Sequence, residues 1–189
     1  MPFLSILTRT YQRPEALKQC KRSVAMQADQ DLEHLILRDT VGVGVVEAYR
    51  LLLNVQPRGE YVMILDDDDL LTSPWFVSDL KAASRAYDPD VIVFKMQSEE
   101  LGVLPDAFVW QQKPIHGRIG GSNVAVKLHV WDECIWAIAT DGEGGDPETG
   151  EYEYKSFTKA MLKKYLKRFN RRVEIYFEDH PAIKKKAGR

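Results

Sequence analysis

The chain has 189 residues, a hydrophobic fraction of 44%, a charged fraction of 29% and a formal net charge of −2. This length is near that of one domain and the composition is ordinary for a soluble globular protein. No apolar run approaches the roughly 18 residues of a membrane-spanning helix. The two distant cysteines, Cys20 and Cys134, suggest neither a disulfide framework nor a zinc knuckle, so a reducing cytoplasm is the expected location.

The first half of the chain alternates apolar segments with segments of helical periodicity. The N-terminal run at residues 3–7 lacks a basic leader and a cleavage site, and is interpreted as a first strand rather than a signal peptide. The elements predicted after it are a helix from Pro14, a strand at 32–37, a helix at 43–53, a strand at 61–65, a helix at 74–87 and a strand at 90–94. Continuously apolar strands separated by helices predict an α/β fold with a mostly parallel sheet flanked by helices.

After about residue 97 this alternation weakens, because glycine and proline divide the chain into short pieces. A loop is predicted at 141–150, a helix at 152–169 and a late strand at 173–177. We interpret the chain as one domain with two halves, at 1–97 and 98–189. Residues 158–189 contain eleven Lys or Arg against three Asp or Glu, a balance of +8. This basic segment is either a solvated helix face or a surface for an anionic membrane or acceptor.

Polar clusters follow three predicted strands at residues 8–13, 38–40 and 66–69, and ligands bind beyond the carboxyl ends of strands in open parallel sheets. The last cluster is four consecutive aspartates, Asp66 to Asp69. Carboxylates in a half-buried site repel one another unless a cation neutralises them, and oxygen ligands suit Mg²⁺ or Mn²⁺. The run therefore predicts a divalent-metal site. The alternative is an acidic cap on the helix that follows.

The segment Leu65-Asp66-Asp67-Asp68-Asp69-Leu70 resembles the Leu-Asp-x-Asp-Asp segment of inverting family 2 glycosyltransferases, and so contains a candidate DXD motif. The opening, Ser5-Ile6-Leu7-Thr8-Arg9-Thr10-Tyr11-Gln12-Arg13-Pro14, is similar to the start of that family, and Gly59-Glu60-Tyr61-Val62 to its lead into the acidic motif. The resemblance covers the first half of the chain. It implies a small single-domain enzyme of the Rossmann-like GT-A fold, with a nucleotide-binding half at 1–97 and an acceptor-side half at 98–189. Such an enzyme transfers a sugar from a nucleotide-diphosphate donor, with a UDP-sugar expected here, to an acceptor hydroxyl.

The resemblance also implies roles for individual residues. Asp66 would contact the donor ribose and ligate the metal together with Asp68, beside Asp67. His180 is a further candidate for the metal or the diphosphate. The remaining candidates for nucleotide binding are Thr8, Thr10, Tyr11 and Arg13 in the first loop, Asp39 toward the base and Arg50 toward the diphosphate. The chain departs from the family around Asp39 and Arg50, where the usual Asp-Asp-Gly-Ser and Ala-Arg-Asn are replaced.

Inverting transfer needs a base that removes the proton of the acceptor hydroxyl. Asp146, in Gly144-Gly145-Asp146, matches the family's base motif best, while Glu151 and Glu143 are rivals. The Gly120-Gly121-Ser122-Asn123 segment resembles the family's glycine-rich turn near the donor sugar.

Partners follow from this interpretation: a nucleotide sugar, a glycan, lipid-linked or other hydroxyl acceptor, and no nucleic acid. The basic segment would support peripheral association with an anionic membrane at its inner face. Two alternatives stay open, a nucleotidyltransferase and a catalytically inactive module that binds a nucleotide sugar or a metal. The first is disfavoured because residues 8–13 contain no glycine for gripping a triphosphate.

Overall fold

One β-sheet organises the part of the chain that the structure, a computed structural model, describes: residues 1–99, 102–104, 121–132 and 175–185. Its strands are β1 (Leu4–Thr10), β2 (Leu32–Arg38), β3 (Tyr61–Ile64), β4 (Asp69–Leu71), β5 (Val91–Ser98), β6 (Gly102–Leu104), β7 (Val124–Lys127) and β8 (Ile175–Lys185). The helices are α1 (Pro14–Ala25), α2 (Gly44–Leu51) and α3 (Phe76–Tyr87), and short 3-10 helices lie at Leu52–Asn54 and Gly121–Asn123. The strands and helices predicted for the first half are all present. The late strand is longer than predicted, and the predicted loop at 141–150 and helix at 152–169 lie outside the described residues.

The strand order is β2-β1-β3-β7-β5-β8-β4, with β6 paired to β5. Strand β1 runs parallel to β2 and β3, and β5 runs parallel to β8. Strand β7 lies antiparallel between β3 and β5. Strand β4 pairs antiparallel with β8, and β6 pairs antiparallel with β5. The expected α/β class is confirmed, but the described sheet is mixed rather than mostly parallel. The reason is that β4 and β6 follow the preceding strand too closely for a crossover helix, so the strand-helix alternation gave no sign of their direction.

Helices cover the sheet with faces set by their own periodicity. In α1, Leu17, Cys20 and Val24 recur at helical spacing and are buried. In α3, Phe76 and Leu80 are buried, and the Phe76 ring meets the Phe94 ring of β5 edge-on at 4.9 Å between centroids. Strand β3 is buried at every position, as expected for a strand with both faces covered.

This topology brings three sequence-distant loops to one edge of the sheet. Because β1, β2 and β3 are parallel neighbours, their carboxyl ends meet there. The backbone N–H of Asp39, after β2, donates to the carbonyl of Thr10 at 2.9 Å, and that of Leu65, after β3, donates to the carbonyl of Leu7 at 2.9 Å.

Among the described residues, no helix is both long and apolar enough to cross a membrane.

Candidate functional site

The acidic run forms a turn at the carboxyl end of β3. The backbone N–H of Asp69 donates to the carbonyl of Asp66 at 3.0 Å, which closes the turn and leads into β4. Asp66, Asp67 and Asp69 are buried, whereas the side chain of Asp68 is 24% exposed. We call residues 66–69 the acidic turn. Its four carboxylates therefore occupy different environments, although the sequence presents them as identical.

Two arginines from the β1 edge lie against the acidic turn. Arg9 Nη2 is 3.2 Å from Asp66 Oδ1, and both side chains are largely buried. Arg13 Nη1 is 2.9 Å from Asp68 Oδ2 and 3.4 Å from Asp67 Oδ1, and the Arg13 side chain is 55% exposed. Arg9 is a structural anchor, because its charge is buried with its partner. Arg13 reaches solvent, so its guanidinium is accessible to an arriving anion.

Arg9 was not among the residues that the sequence singled out. One signal was available: an arginine inside an otherwise buried strand requires a carboxylate partner. The nearest predicted carboxylates followed β3, a parallel neighbour of β1.

Asp67 is a member of the acidic turn whose chemistry fits a bound cation. Burial raises the pKa of its carboxyl group, although a hydrogen bond from Thr10 and the charge of Arg13 act in the opposite direction. Its Oδ2 is buried and has no hydrogen-bond partner. A buried carboxylate oxygen without a donor is an unused anionic ligand, and Mg²⁺ or Mn²⁺ needs only one or two such protein ligands. The residues present therefore fit a divalent cation.

The ligand set expected from the sequence, Asp66, Asp68 and His180, stays a prediction. Within the described ranges, no group of three or more His, Cys, Asp or Glu side chains is arranged to hold a metal ion. The backbone of His180 lies in β8, within an irregularity of its pairing with β5 between Glu178 and Pro181. This strand lies between β5 and β4, the last strand of the sheet order.

Asp39 holds the loop after β2 in shape. Its Oδ1 accepts the backbone N–H groups of Val41 and Gly42 at 2.9 and 2.8 Å, and its Oδ2 accepts that of Val43 at 2.8 Å. Desolvation works against ionisation, but these three donors outweigh it and lower the pKa of Asp39. The Tyr11 ring packs on Gly42, where an added Cβ would lie 2.5 Å from the Tyr11 hydroxyl oxygen. Both oxygens of Asp39 are therefore already bonded within their own turn.

Thr8 and Arg50 do not contact the acidic turn. Thr8 is fully buried, and its Oγ1 is 2.8 Å from His34 Nε2 and 3.9 Å from Cys20 Sγ, on the side of β1 toward α1. Arg50 pairs with Glu47 on α2 at 3.1 Å. The structure thus joins Thr10 and Arg13 to the acidic turn. The base candidates Asp146, Glu151 and Glu143 lie outside the described residues.

No protein-family model matches this sequence, and a search of curated proteins finds no match either. Solved structures do match. One is S. aureus TarS 1–349, with a TM-score of 0.66 and 16% sequence identity over 98% of this chain and 60% of that chain. The chain has the GT-A fold. The same TarS fragment in complex with UDP-GlcNAc gives a TM-score of 0.65 at 15% identity, over 100% of this chain and 59% of that chain.

A second similar protein is the mannosyltransferase PcManGT from Pyrobaculum calidifontis, in complex with GDP-Man and Mn²⁺. It gives a TM-score of 0.63 at 11% identity, over 97% of this chain and 56% of that chain. The chain thus spans about 60% of the length of TarS 1–349 and less of the mannosyltransferase. At these identities the similarity shows the fold.

Proposed function

We propose that the protein is an inverting glycosyltransferase that moves a sugar from a nucleotide-diphosphate donor to an acceptor hydroxyl. The observation that carries the proposal is the acidic turn, which follows β3 in a GT-A fold and faces two arginines. Similar structures have been solved with UDP-GlcNAc and with GDP-Man and Mn²⁺, which supports a nucleotide sugar as the donor class. A UDP-sugar is our first choice.

Asp66 and Asp68 would hold Mn²⁺ or Mg²⁺, with the buried Asp67 oxygen beside them, and the ion would offset the charge of the departing diphosphate. Arg13 is the residue of this chain best placed to receive the phosphates. Its side chain is more than half exposed, and its guanidinium bonds the most accessible carboxylate of the turn. A guanidinium binds phosphate oxygens in the same forked geometry as carboxylates, so Arg13 would exchange Asp68 for the donor.

Asp146 is proposed as the base that accepts the proton of the acceptor hydroxyl, with Glu151 and Glu143 as alternatives. The test is turnover of a panel of UDP, GDP, dTDP and CDP sugars with Mn²⁺. Asp146→Asn should lower turnover by a factor of about 10² to 10⁴ and leave donor binding intact, since the amide keeps the shape of the carboxylate but accepts no proton. Glu151→Gln and Glu143→Gln are the matched controls. If Glu151→Gln has no turnover while Asp146→Asn stays active, Glu151 is the base. Donor binding without turnover in the parent protein would favour an inactive binding module.

The acceptor is proposed to be a glycan, a lipid-linked molecule or another hydroxyl compound, reached in the cytoplasm or at the inner face of a membrane. The basic segment at residues 158–189, with a balance of +8, supports an anionic acceptor or surface. Association through this segment should weaken as salt is added, because exposed charges are screened.

A further inference from the structure

One face of α1 carries all three of the cations in that helix. Pro14, Leu17, Lys18, Lys21, Arg22 and Ala25 follow the i, i+3, i+4, i+7, i+8, i+11 spacing that places residues on one side of a helix. With Arg38, at the end of β2, they line a groove of about 490 Å³. Leu17 is buried in its floor, and the charged side chains are exposed at its rim. We call this groove the α1 surface.

The cations of the α1 surface lack the partners that neutralise cations elsewhere in the described structure. No acidic side chain lines the groove. Lys18 has only Glu15, at 3.9 Å, with both side chains about 80% exposed. Lys21, Arg22 and Arg38 make no ion pair with any carboxylate in the described ranges. By contrast, each of the following lies within 2.9 Å of a carboxylate oxygen: Arg13, Arg58, Lys81 and Lys127. The α1 surface is therefore a local concentration of positive charge on a chain whose net charge is −2.

Exposed apolar side chains continue this surface. A second groove, of about 310 Å³, shares Arg22 and is lined by Met26 and Pro74 among others. Met26 is 62% exposed and Trp75 is 60% exposed. A backbone hydrogen bond of 2.8 Å from Ala28 to the carbonyl of Pro74 fixes these two segments side by side. The basic groove thus adjoins a groove that an exposed methionine lines, and the exposed Trp75 directly follows Pro74 of that groove in the chain.

We propose that the α1 surface, with Met26 and Trp75, docks the protein on an anionic membrane. Exposed lysine and arginine bind anionic headgroups, and tryptophan is favoured at the depth where headgroups meet acyl chains. A soluble polyanion would satisfy the charges alone and would leave Met26 and Trp75 in water. The membrane satisfies both parts of the surface, and it is a different contact from the basic segment at residues 158–189.

This contact would place the membrane beside the candidate site. Pro14 and Arg38, at one end of the α1 surface, are chain neighbours of Arg13 and Asp39. Docking would therefore hold the loops after β1 and β2 close to the lipid headgroups. The inference does not rest on glycosyl transfer, because vesicle binding is measured without a donor.

The experiment is co-sedimentation of the full chain with vesicles of phosphatidylglycerol and phosphatidylcholine, and with vesicles of phosphatidylcholine alone. Each cation near an anionic surface contributes about a five-fold gain in binding, so Lys18→Gln/Lys21→Gln/Arg22→Gln should lower partitioning about 100-fold. Lys184→Gln/Lys185→Gln/Lys186→Gln, which removes the same charge from the basic segment, is the matched control and should lose much less. Unchanged unfolding midpoints would show that both variants are folded.

A second measurement tests the apolar part of the surface. Tryptophan emission should shift to shorter wavelength when anionic vesicles are added, and Trp75→Phe should remove that shift. Tyr87→Ala is the control, because Tyr87 is also exposed, at 54%, but lies at the far end of α3. Three results would overturn the proposal. They are no binding to anionic vesicles, a larger loss in the control triple variant than in the α1 variant, and salt-sensitive binding to vesicles and to dextran sulfate alike without a shift from Trp75.

Discussion

At the scale of single residues, the four aspartates of the acidic turn are distinguished by their partners. Asp66 shares a buried ion pair with Arg9, whereas Asp68 shares a partly exposed one with Arg13. The Arg9–Asp66 pair therefore stabilises the fold, whereas the Arg13–Asp68 pair leaves a guanidinium accessible to a ligand. A matched pair of substitutions separates the two roles.

Arg9→Gln should lower the free energy of unfolding by about 3 kcal/mol, because it leaves the buried Asp66 carboxylate without its cation. Arg13→Gln should cost less than about 1 kcal/mol, since this pair is exposed to solvent, but it should weaken nucleotide binding. Urea denaturation of both variants measures the first quantity, and titration with UDP the second. Equal losses of stability would contradict the assignment of Arg9 as the anchor.

Protonation of His34 makes the free energy of unfolding depend on pH. Burial, aided by the charge of Lys21, lowers its pKa from 6.5 to about 4. The unfolded chain therefore binds the proton more readily, and the stability that neutral His34 preserves above pH 6.5 is lost as the pH falls toward 4. Between pH 7 and pH 5 the loss should be about 2 kcal/mol. The measurement is the free energy of unfolding at both pH values for the parent and for His34→Gln, which should show a smaller change; an identical change in the two proteins would refute this assignment.

The sequence predicted that the four aspartates follow an apolar strand at the carboxyl end of the sheet, and the structure places the acidic turn there. It did not predict which side of β1 each polar residue occupies. When both faces of a strand are covered, apolar residues give no alternation, and so Thr8 was placed with the site although it faces Cys20 and His34. The pairing of Arg9 with Asp66 required knowledge that β1 and β3 are neighbours.

At the scale of elements, the segment that leads into β3 depends on a close backbone approach at Gly59. An added Cβ there would lie 2.5 Å from the backbone nitrogen of Ser5 and 2.7 Å from the carbonyl oxygen of Tyr61. The Ser5 hydroxyl also accepts the N–H of Gly59 at 2.7 Å. Position 59 needs glycine because the backbones of β1 and of the segment leading into β3 approach too closely for a side chain. This close approach explains the glycine of the Gly59-Glu60-Tyr61 motif.

Gly59→Ala should destabilise the protein by about 3 kcal/mol or more, since backbone atoms cannot yield as a flexible side chain does. Gly102→Ala is the control: its φ of +73° is strained for alanine, but nothing lies within 4 Å, so the cost should stay near 1 kcal/mol. Thermal unfolding of the two variants compares them. A smaller effect at Gly59 than at Gly102 would contradict the packing described for β1 and β3.

Most elements of the first half were predictable because β1 and β2 are each followed by a helix with a clear periodicity. Strand β7 was not, since Val124–Lys127 is only four residues long and follows a glycine-rich turn. Its insertion between β3 and β5 is a long-range pairing that local patterns do not encode. The extension of β8 to Lys185 was missed for a related reason: Lys184 and Lys185 are polar, yet they pair with Leu70 and Asp69 of β4.

At the scale of the whole molecule, the sheet brings together loops that are far apart in sequence. Thr10 ends β1, Asp39 follows β2 and the acidic turn follows β3. Hydrogen bonds join Thr10 to Asp39 and to Asp67, and an ion pair joins Arg9 of β1 to Asp66. The sequence was sufficient to predict this convergence, because the carboxyl ends of parallel strands share an edge. The central claim is that this edge binds a nucleotide sugar through a divalent cation on the acidic turn.

Calorimetric titration of UDP in the presence and absence of Mn²⁺ tests that claim most directly, with the parent, Asp68→Asn and Asp88→Asn. Asp88 is the matched control, because it is exposed, pairs with Lys127 and adopts a left-handed conformation that asparagine also accepts. We expect Mn²⁺-dependent binding in the parent and in Asp88→Asn, and at least a ten-fold weaker affinity in Asp68→Asn, about 1.4 kcal/mol, with an unchanged unfolding midpoint. Binding of equal strength in all three proteins would contradict the metal site on the acidic turn.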